Sequence, residues 1–244
     1  MKNETKEKEY SISDGTEEIW KSVQSELRDE ARSDVGGGSS LHPAFTLGLS
    51  GFFLLNVGAL LSLPPVLRGK GAPYLPTFSG KLDTMFSLLR REASVAKKVS
   101  AANEALTFVD LGSGDGRVVF RAAREGIFQK SIGYEINPLL HLYAQSRRVL
   151  QAPKYWSTTE FMRRDLWKVD LSEVDVVAVY GLHPIMDKLG AKLQEELKPG
   201  AVVLSNVFSI PGWKQSPLSS KGVYVYTVPS CWEASQSPTR RNGS

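Results

Sequence analysis

The sequence has little cysteine and little histidine. Among its 244 residues there is one cysteine, Cys231, and there are three histidines. A single cysteine excludes an intramolecular disulfide and a zinc site built from cysteines. No group of residues in the sequence resembles a metal cluster or a nucleophilic triad, so we expect neither kind of site.

The sequence also lacks the usual phosphate-binding signature. Gly112, Gly114 and Gly116 are spaced two apart, with Asp110 just before them, in the stretch 107–117. This G-x-G-x-G spacing differs from the dinucleotide fingerprint G-x-G-x-x-G, and the absence of Gly-Lys-Ser/Thr excludes a P-loop. The pattern predicts a strand, a tight turn and a helix whose N–H groups face a ligand. The alternative is an ordinary strand-to-helix turn.

A second carboxylate, Glu135, ends the next predicted strand. It follows Gly112 by 23 residues, close to the interval of about 20 at which an acidic residue meets ribose in nucleotide-binding βαβ units. A carboxylate can accept hydrogen bonds from both ribose hydroxyl groups. Glu135 therefore favours a ligand that contains ribose, and the alternative is an acidic residue in a solvated loop.

The charge is unevenly distributed along the chain. The net charge is +4, but residues 1–40 hold six Lys or Arg against ten Asp or Glu, a net of −4, which leaves +8 for residues 41–244. The basic part suits an acidic surface, anionic lipid or nucleic acid, and charge alone does not choose among them.

The first 40 residues are polar, and we expect them to be disordered. Their one amphipathic stripe, Ile19, Val23 and Leu27, is too short to form a stable helix alone in water. Residues 36–40 read Gly-Gly-Gly-Ser-Ser, which indicates a flexible linker.

Residues 41–67 include a stretch of 20 residues without charge, from 44 to 63. This is about the length of helix that crosses the hydrocarbon core of a bilayer. Acidic residues precede the stretch and Arg68 and Lys70 follow it, so the positive-inside rule places the C-terminal domain on the cytoplasmic or matrix side. We expect a single membrane anchor. The alternatives are a buried helix of a soluble domain and a hairpin that lies in the interface.

After residue 105, predicted strands and helices alternate. The strands fall at 106–111, 131–135, 159–163, 174–180 and 201–205, and a later one at 222–227 forms an antiparallel edge. Such alternation predicts an α/β fold with helices on both faces of a mostly parallel sheet, where ligands bind beyond the carboxyl ends of the strands. Asp110, Glu135, Asp165 and Tyr180 all fall at such ends, so the sequence predicts one site along this edge.

Two further segments complete the predicted site. Asp165 can accept a hydrogen bond from the exocyclic amine of adenine while Leu166 and Trp167 cover the faces of the ring. The alternative role for Asp165 is a helix cap. Tyr180 follows the fourth strand, and His183 can take a proton from an amine. A capping or solvent-facing histidine is the alternative for His183.

Over residues 44–228 the chain resembles the mitochondrial membrane-anchored protein-lysine N-methyltransferases that modify the ATP synthase c subunit and the adenine nucleotide translocase. The motifs that carry the resemblance are the uncharged stretch, Tyr74-Leu-Pro-Thr77, Val109-Asp-Leu-Gly-Ser-Gly-Asp-Gly-Arg117, Gly133-Tyr-Glu-Ile-Asn-Pro138, Asp165-Leu-Trp-Lys-Val169 and Pro211-Gly-Trp213. Gly-Tyr-Glu-x-Asn-Pro and Asp-Leu-Trp-Lys-Val are far more specific than the glycine turn, which all class I methyltransferases share.

The resemblance implies a class I methyltransferase (Rossmann-like) fold with a seven-stranded sheet, preceded by one anchor helix. The expected division is a polar segment at 1–40, an anchor at 41–67 and a methyltransferase domain at 68–244. The implied methyl donor is S-adenosyl-L-methionine (AdoMet). Its implied contacts are Asp110, Gly112, Ser113, Gly114, Glu135, Asn137, Asp165 and Leu166. Tyr180 and His183 are the catalytic candidates.

The implied function is methylation of a lysine side chain in a mitochondrial inner-membrane protein, with the catalytic domain on the matrix side. Two alternatives remain from the residues themselves. One is methylation of a membrane small molecule such as a lipid or quinone, and the other is a membrane-tethered AdoMet-binding assembly factor without turnover. We expect no nucleic-acid partner, because the basic residues are scattered and form no recognition module.

Overall fold

The computed structural model describes Thr77 and residues 79–100, 105–181, 183–220 and 222–233. Within these residues, strands β1 to β6 span Leu106–Leu111, Phe128–Tyr134, Thr159–Met162, Val176–Val179, Val202–Asn206 and Val223–Thr227. Helices α1 to α6 span Ser79–Arg91, Ala93–Ser100, Arg117–Glu125, Pro138–Val149, His183–Glu196 and Ser230–Glu233. Short 3₁₀ helices lie at Pro153–Tyr155 and Leu166–Lys168.

The strands form one sheet in the order β3-β2-β1-β4-β5-β6. All neighbours are parallel except β6, which pairs antiparallel with β5. Every residue of β4 and β5 is buried, which requires cover on both faces of the sheet. The chain moves outward from β1 to β3 on one side and from β4 to β5 on the other. The carboxyl ends of β1 and β4 therefore form the switch point at which ligands bind in such sheets.

The predicted α/β fold, the mostly parallel sheet and the antiparallel edge strand are confirmed. The seven strands implied by the resemblance are not all shown, since the sheet of the described residues has six strands. The reason lies between β5 and β6, where the described residues contain Pro211, Gly212 and Pro217 and form turns instead of a strand.

Helix α1 packs on the sheet through its apolar face. Leu82, Met85, Phe86 and Leu89 are all buried, and burial of such side chains stabilises a fold by about 1.5–3 kcal/mol each. The ring of Phe86 lies 5.8 Å from that of Phe108 in β1. This packing holds β1, the strand that ends at the predicted site.

The amino end of β1 is fixed by Asp175, which precedes β4. Its carboxylate accepts hydrogen bonds from the Thr107 N–H at 2.9 Å and from Lys98 Nζ at 2.7 Å. Burial raises the pKa of Asp175, but these hydrogen bonds, with one from Lys198, outweigh it and lower the pKa below its usual value. Lys98 belongs to α2, which extends to Ser100.

No helix among the described residues is long and apolar enough to cross a membrane. The predicted anchor at 41–67 and the polar segment at 1–40 lie outside the described residues. The division of the chain into these three parts stays a prediction.

Candidate cofactor and active site

The glycine turn after β1 takes the backbone conformation that its spacing predicted. Gly112 and Gly116 have φ values of +85° and +79°, a region that residues with a Cβ rarely adopt. A Cβ at Gly116 would lie 2.5 Å from Cζ of Phe161, whereas a Cβ at Gly112 would meet no atom within 4 Å. Gly116 therefore lets the turn pack against β3, and Gly112 leaves open space at the carboxyl end of β1.

Hydrogen bonds tie this turn to the end of β2. The N–H groups of Gly112 and Ser113 both donate to the carbonyl oxygen of Tyr134, at 2.9 and 3.0 Å. The next residue, Glu135, accepts at Oε2 from the Gly114 N–H at 2.9 Å and at Oε1 from the Asn137 N–H at 2.7 Å. The turn and the carboxylate thus fix each other's position. A carboxylate has about four lone-pair sites, so Glu135 retains capacity to accept a hydrogen bond from a ligand.

Two buried carboxyl groups lie close together at this edge. Asp110 is buried, and its pKa rises to about 8 because of burial first and then because of the negative charges of Glu135 and Asp115. Burial also raises the pKa of Glu135, while the N–H groups of Asn137 and Gly114 oppose the rise by donating to the carboxylate. A cation bound here would stabilise the ionised form of both groups.

Asp115, the third acidic residue of the turn, has a structural role. Its buried carboxylate forms ion pairs with Arg117 at 3.0 Å and with Arg147 of α4 at 2.5 Å. Arg147 also donates to the backbone oxygen of Asp115 at 2.9 Å and stacks over the ring of Phe120, 5.3 Å from its centroid. These contacts lock the turn against α3 and α4.

Asn137 and Asp165 both cap helices. The Oδ1 atom of Asn137 accepts from the N–H groups of Leu139 and Leu140 at 2.9 and 3.3 Å, so Asn137 is the N-cap of α4. Asp165 Oδ1 accepts from the Trp167 N–H at 3.1 Å and caps the 3₁₀ helix Leu166–Lys168. The alternative that the sequence left open for Asp165, a helix cap, therefore holds beside the proposed contact with adenine.

The candidates after β4 stand at the same edge of the sheet. Tyr180 is half-buried and directly follows the strand, and His183 is the first residue of α5. The imidazole of His183 meets the ring of Phe208 edge to face, with centroids 6.1 Å apart. The start of α5 therefore contacts the segment after β5.

Sequence reasoning missed two residues, the last residue of β5 and the one that follows it. Asn206 is buried, and its Nδ2 donates to Oγ1 of Thr77 at 3.2 Å, while its Oδ1 has no hydrogen-bond partner among the described residues. Val207 has a φ of +69°. The Phe208 N–H donates to the Asn206 carbonyl oxygen at 2.9 Å across it, so Val207 is the centre of a γ-turn of the rare, strained kind. Strain of this type is concentrated at functional sites.

Ser113 gives a second buried polar atom without a described partner. Its Oγ is buried and accepts or donates no hydrogen bond within the described residues. A Cβ added to Gly133 would lie only 2.6 Å from this Oγ atom. Open space at Gly112, an unused hydroxyl at Ser113 and the carboxyl groups of Asp110 and Glu135 suit a cationic ligand that carries hydroxyl groups. These residues fit AdoMet.

Some of the predicted site residues contact one another, and others only lie at the same edge of the sheet. Hydrogen bonds connect the glycine turn, Glu135 and Asn137, and electrostatic interaction connects Asp110 with Glu135. Asp165, Tyr180 and His183 follow β3 and β4 at the same edge. A group of three or more metal-ligating residues is not found among the described residues.

Comparison with known proteins gives a family and its relatives. The model of the ANTKMT methyltransferase domain matches residues 110–217. The lysine N-methyltransferase of the ATP synthase c subunit from Xenopus laevis is 33% identical over 159 residues, which are 65% of this chain and 63% of that protein. The adenine nucleotide translocase lysine N-methyltransferase of Mus musculus is 32% identical over 187 residues, 73% of this chain and 74% of that protein. The chain thus spans less than two thirds of the length of the Xenopus relative.

A solved structure is similar as well. The RNA methyltransferase from Salinibacter ruber, determined in complex with S-adenosyl-L-homocysteine, aligns with a TM-score of 0.53 and 33% identity. The alignment covers 64% of this chain and 94% of that one. Its sequence and its fold are both similar to those of the described domain.

Proposed function

Because this chain belongs to the family of the ANTKMT methyltransferase domain, we propose that it is an AdoMet-dependent protein-lysine N-methyltransferase. Its substrate is a mitochondrial membrane protein of the ATP synthase c-subunit or adenine nucleotide translocase type, the proteins after which its relatives are named. The observation that carries the proposal is the pair of hydrogen bonds by which Glu135 is fixed beside the glycine turn.

In this proposal the carboxyl edge of the sheet holds AdoMet. Asp110 and the turn Gly112-Ser-Gly114 contact its amino-acid part, and the free lone pairs of Glu135 accept from its ribose hydroxyls. Asp165 and Leu166 hold the adenine, and Asn137 supports Glu135 through its N–H. When bound, AdoMet supplies an electrophilic methyl group on a sulfonium that leaves as a neutral thioether.

The chain itself contributes position, exclusion of water and removal of a proton. A lysine amine has an ordinary pKa of about 10.4, so it must lose a proton before it can attack a methyl group. His183 and Tyr180 stand after β4, where they can accept that proton or hold the amine. In-line methyl transfer requires alignment above all, which rigid strand ends provide.

Asn206 is the further residue that we assign to the amine. Its Nδ2 is occupied by Thr77, so its buried Oδ1 is fixed in direction and has no described partner. The pairing of Val179 with Ser205 puts Asn206 beside Tyr180. A carbonyl oxygen in that place can accept a hydrogen bond from the lysine amine and orient its lone pair. The strained turn at Val207 sets the position of Asn206.

The remaining parts of the chain determine where in the cell the protein is held. Residues 41–67 anchor the protein in the mitochondrial inner membrane, residues 1–40 form a polar extension, and residues 68–244 form the methyltransferase domain on the matrix side. What supports this is the uncharged stretch at 44–63 and its basic C-terminal flank. Anchoring raises the effective concentration of a membrane-embedded substrate.

RNA is the second candidate substrate, because the similar Salinibacter ruber protein is described as an RNA methyltransferase. A methyl-transfer assay separates the candidates. The full chain is incubated with labelled AdoMet and with mitochondrial membranes that retain their RNA. We expect label that protease removes and that nuclease and lipid extraction leave in place. Label sensitive to nuclease would favour RNA, and label in the lipid extract would favour a lipid or quinone.

The control for this assay is a pair of acidic residues. Glu135→Ala removes the buried carboxylate of the proposed site, and Glu195→Ala removes an exposed carboxylate of α5. We expect the first variant to lose the label and the second to keep it. Equal labelling by the two variants would contradict the assignment of Glu135.

A further inference from the structure

Helix α4 has an apolar face that points away from the protein. Leu139, Leu142, Tyr143, Val149 and the C-cap Leu150 have exposed fractions of 50%, 65%, 42%, 68% and 83%. At 3.6 residues per turn these positions fall within an arc of about 120° on one side of the helix. We call them, with Ser146 in their midst, the outer stripe. The inward side of α4 is buried through Leu140 and Ala144, so the helix is apolar on two sides.

Trp156 extends the outer stripe beyond the end of α4. Its side chain is 44% exposed, and its indole Nε1 donates to the carbonyl oxygen of Gln151 at 3.1 Å. Arg148 of α4 donates to its backbone oxygen. Trp156 is therefore held against the C-terminal end of α4 with its ring partly exposed. Tryptophan and tyrosine, which have an apolar body and a polar tip, are the side chains enriched where lipid meets water.

The segment that contains the outer stripe is basic, and we call its exposed cations, Lys154, Arg163 and Arg164, the basic border. From Pro138 to Arg164 the chain has five Lys or Arg and one acidic residue, Glu160, a net of +4. Burial lowers the pKa of His141 in α4, and the nearby positive charge of Arg163 lowers it further. An apolar stripe with cations along its border is the composition of helices that lie in the surface of an anionic bilayer.

Other occupants fit this surface less well. A second copy of the chain would bring the exposed cations Lys154, Arg163 and Arg164 of two molecules together, and like charges repel. RNA would use the cations and the aromatic rings, but four exposed aliphatic side chains add nothing to phosphate binding or base stacking. An anionic lipid surface uses all three features, since acyl chains take up the leucines, the interface takes up the tryptophan and the headgroups attract the cations.

We propose that the outer stripe of α4, with Trp156 and its basic border, lies on the surface of an anionic lipid bilayer. Helix α4 begins at Pro138, three residues after Glu135. Docking of α4 thus brings the carboxyl edge of the sheet to the bilayer surface. This last consequence, access to a lysine near the membrane, rests on the proposed function, whereas the docking itself does not.

The test places one fluorophore in the outer stripe of the full chain. Ser146 is exposed, and the single native cysteine, Cys231, is buried, so an environment-sensitive dye attached to Ser146→Cys reports on this surface alone. The matched control carries the dye at Gln194→Cys, an exposed position of α5. A dye at these positions reports docking of the domain and not mere association of the chain with vesicles.

The expected result is a blue-shifted emission from position 146, quenched by lipid-borne quenchers, on phosphatidylcholine vesicles that contain phosphatidylglycerol. Vesicles of phosphatidylcholine alone should give a weaker shift, and the dye at position 194 should give none. Changing Leu142→Gln together with Leu150→Gln should weaken the response on the order of a hundredfold in lipid concentration, roughly tenfold for each leucine. Thermal unfolding of the labelled chains checks that these variants are folded.

Three results would overturn the proposal. The first is an emission maximum of the dye at position 146 that does not shift although the chain is bound to anionic vesicles. The second is a shift that depends on protein concentration without lipid, which would mean contact between copies. The third is a shift caused by RNA and not by vesicles. None of these measurements involves methyl transfer, so failure of the docking and failure of the proposed activity are distinguishable.

Discussion

The backbone N–H of Gly114 donates a hydrogen bond of 2.9 Å to Oε2 of Glu135. This bond joins the turn after β1 to the end of β2, the two segments that the sequence singled out separately. The turn holds the carboxylate in place. The carboxylate in turn accepts a hydrogen bond from a buried N–H group of the turn, which would otherwise lack this partner. We therefore expect a change at Glu135 to disturb the turn and, with it, the cofactor site that we propose.

The first prediction concerns Glu135. Glu135→Ala removes an acceptor of hydrogen bonds, and bonds to a charged group contribute about 1.5–3 kcal/mol, so AdoMet affinity should fall roughly tenfold to a hundredfold. Titration calorimetry of the full chain measures this change. Glu195→Ala on α5 is the control, and its affinity should equal that of the wild type. An unchanged affinity for Glu135→Ala would remove this residue from the site.

The second prediction separates the glycines of the turn. Gly116→Ala has an unfavourable φ and also a clash with Phe161, which together should lower the free energy of unfolding by about 2–5 kcal/mol. Gly112→Ala has the unfavourable φ without a clash, and its loss should be about 1–2 kcal/mol. Urea unfolding of both variants checks the order.

For AdoMet affinity we expect the opposite order, with the larger loss at Gly112. The Cβ of Gly112→Ala enters the open space in which we place AdoMet, so this variant should lose affinity although it stays folded. In Gly116→Ala the additional change Phe161→Leu should restore part of the lost stability. A larger stability loss at Gly112 than at Gly116 would contradict the role assigned to Phe161.

The third prediction follows from the pKa of Asp110, which burial and the neighbouring carboxylates raise to about 8. Below that pH the free protein holds a proton on this carboxyl group, and a cationic ligand favours its release. AdoMet should therefore bind more tightly as the pH rises from about 6 to 8, by up to about tenfold per pH unit. Dissociation constants measured across this range check the direction. Asp110→Asn, which has no carboxyl group to titrate, should show a flatter profile.

The fourth prediction concerns Asn206. Asn206→Ala removes the Oδ1 atom that we assign to the lysine amine, so methyl transfer should slow by about tenfold to a hundredfold while AdoMet affinity changes little. The control is Ser209→Ala, an exposed neighbour beyond the strained turn, which should leave both quantities unchanged. Loss of AdoMet affinity in Asn206→Ala would instead indicate a residue that only supports the cofactor site.

Much of the fold and part of the site could be predicted from the sequence. Alternation of apolar segments indicated the parallel sheet, and Asp110 and Glu135 stand at strand ends as the spacing predicted. The hydrogen bonds of Glu135 to Gly114 and Asn137 add what the sequence could not provide, because the bond to Gly114 depends on the way two strands pair.

The residues that were missed depend on contacts between distant parts of the chain. Asn206 is separated by 129 residues from Thr77, the partner that orients it. Val207 is β-branched, which favours extended backbone, so its γ-turn contradicts local preference and arises from the surrounding structure. The reason for glycine at position 116 likewise lies in β3, at Phe161.

The most direct test of the account is peptide mass spectrometry of mitochondrial membrane proteins treated with AdoMet and the full chain. We predict added methyl groups, each about 14 Da by the chemistry of replacing N–H by N–CH₃, on a lysine of one membrane protein. The Glu195→Ala chain should give the same modification, and the Glu135→Ala chain should give none. Methylation that appears on no lysine, or that persists with Glu135→Ala, would contradict the account.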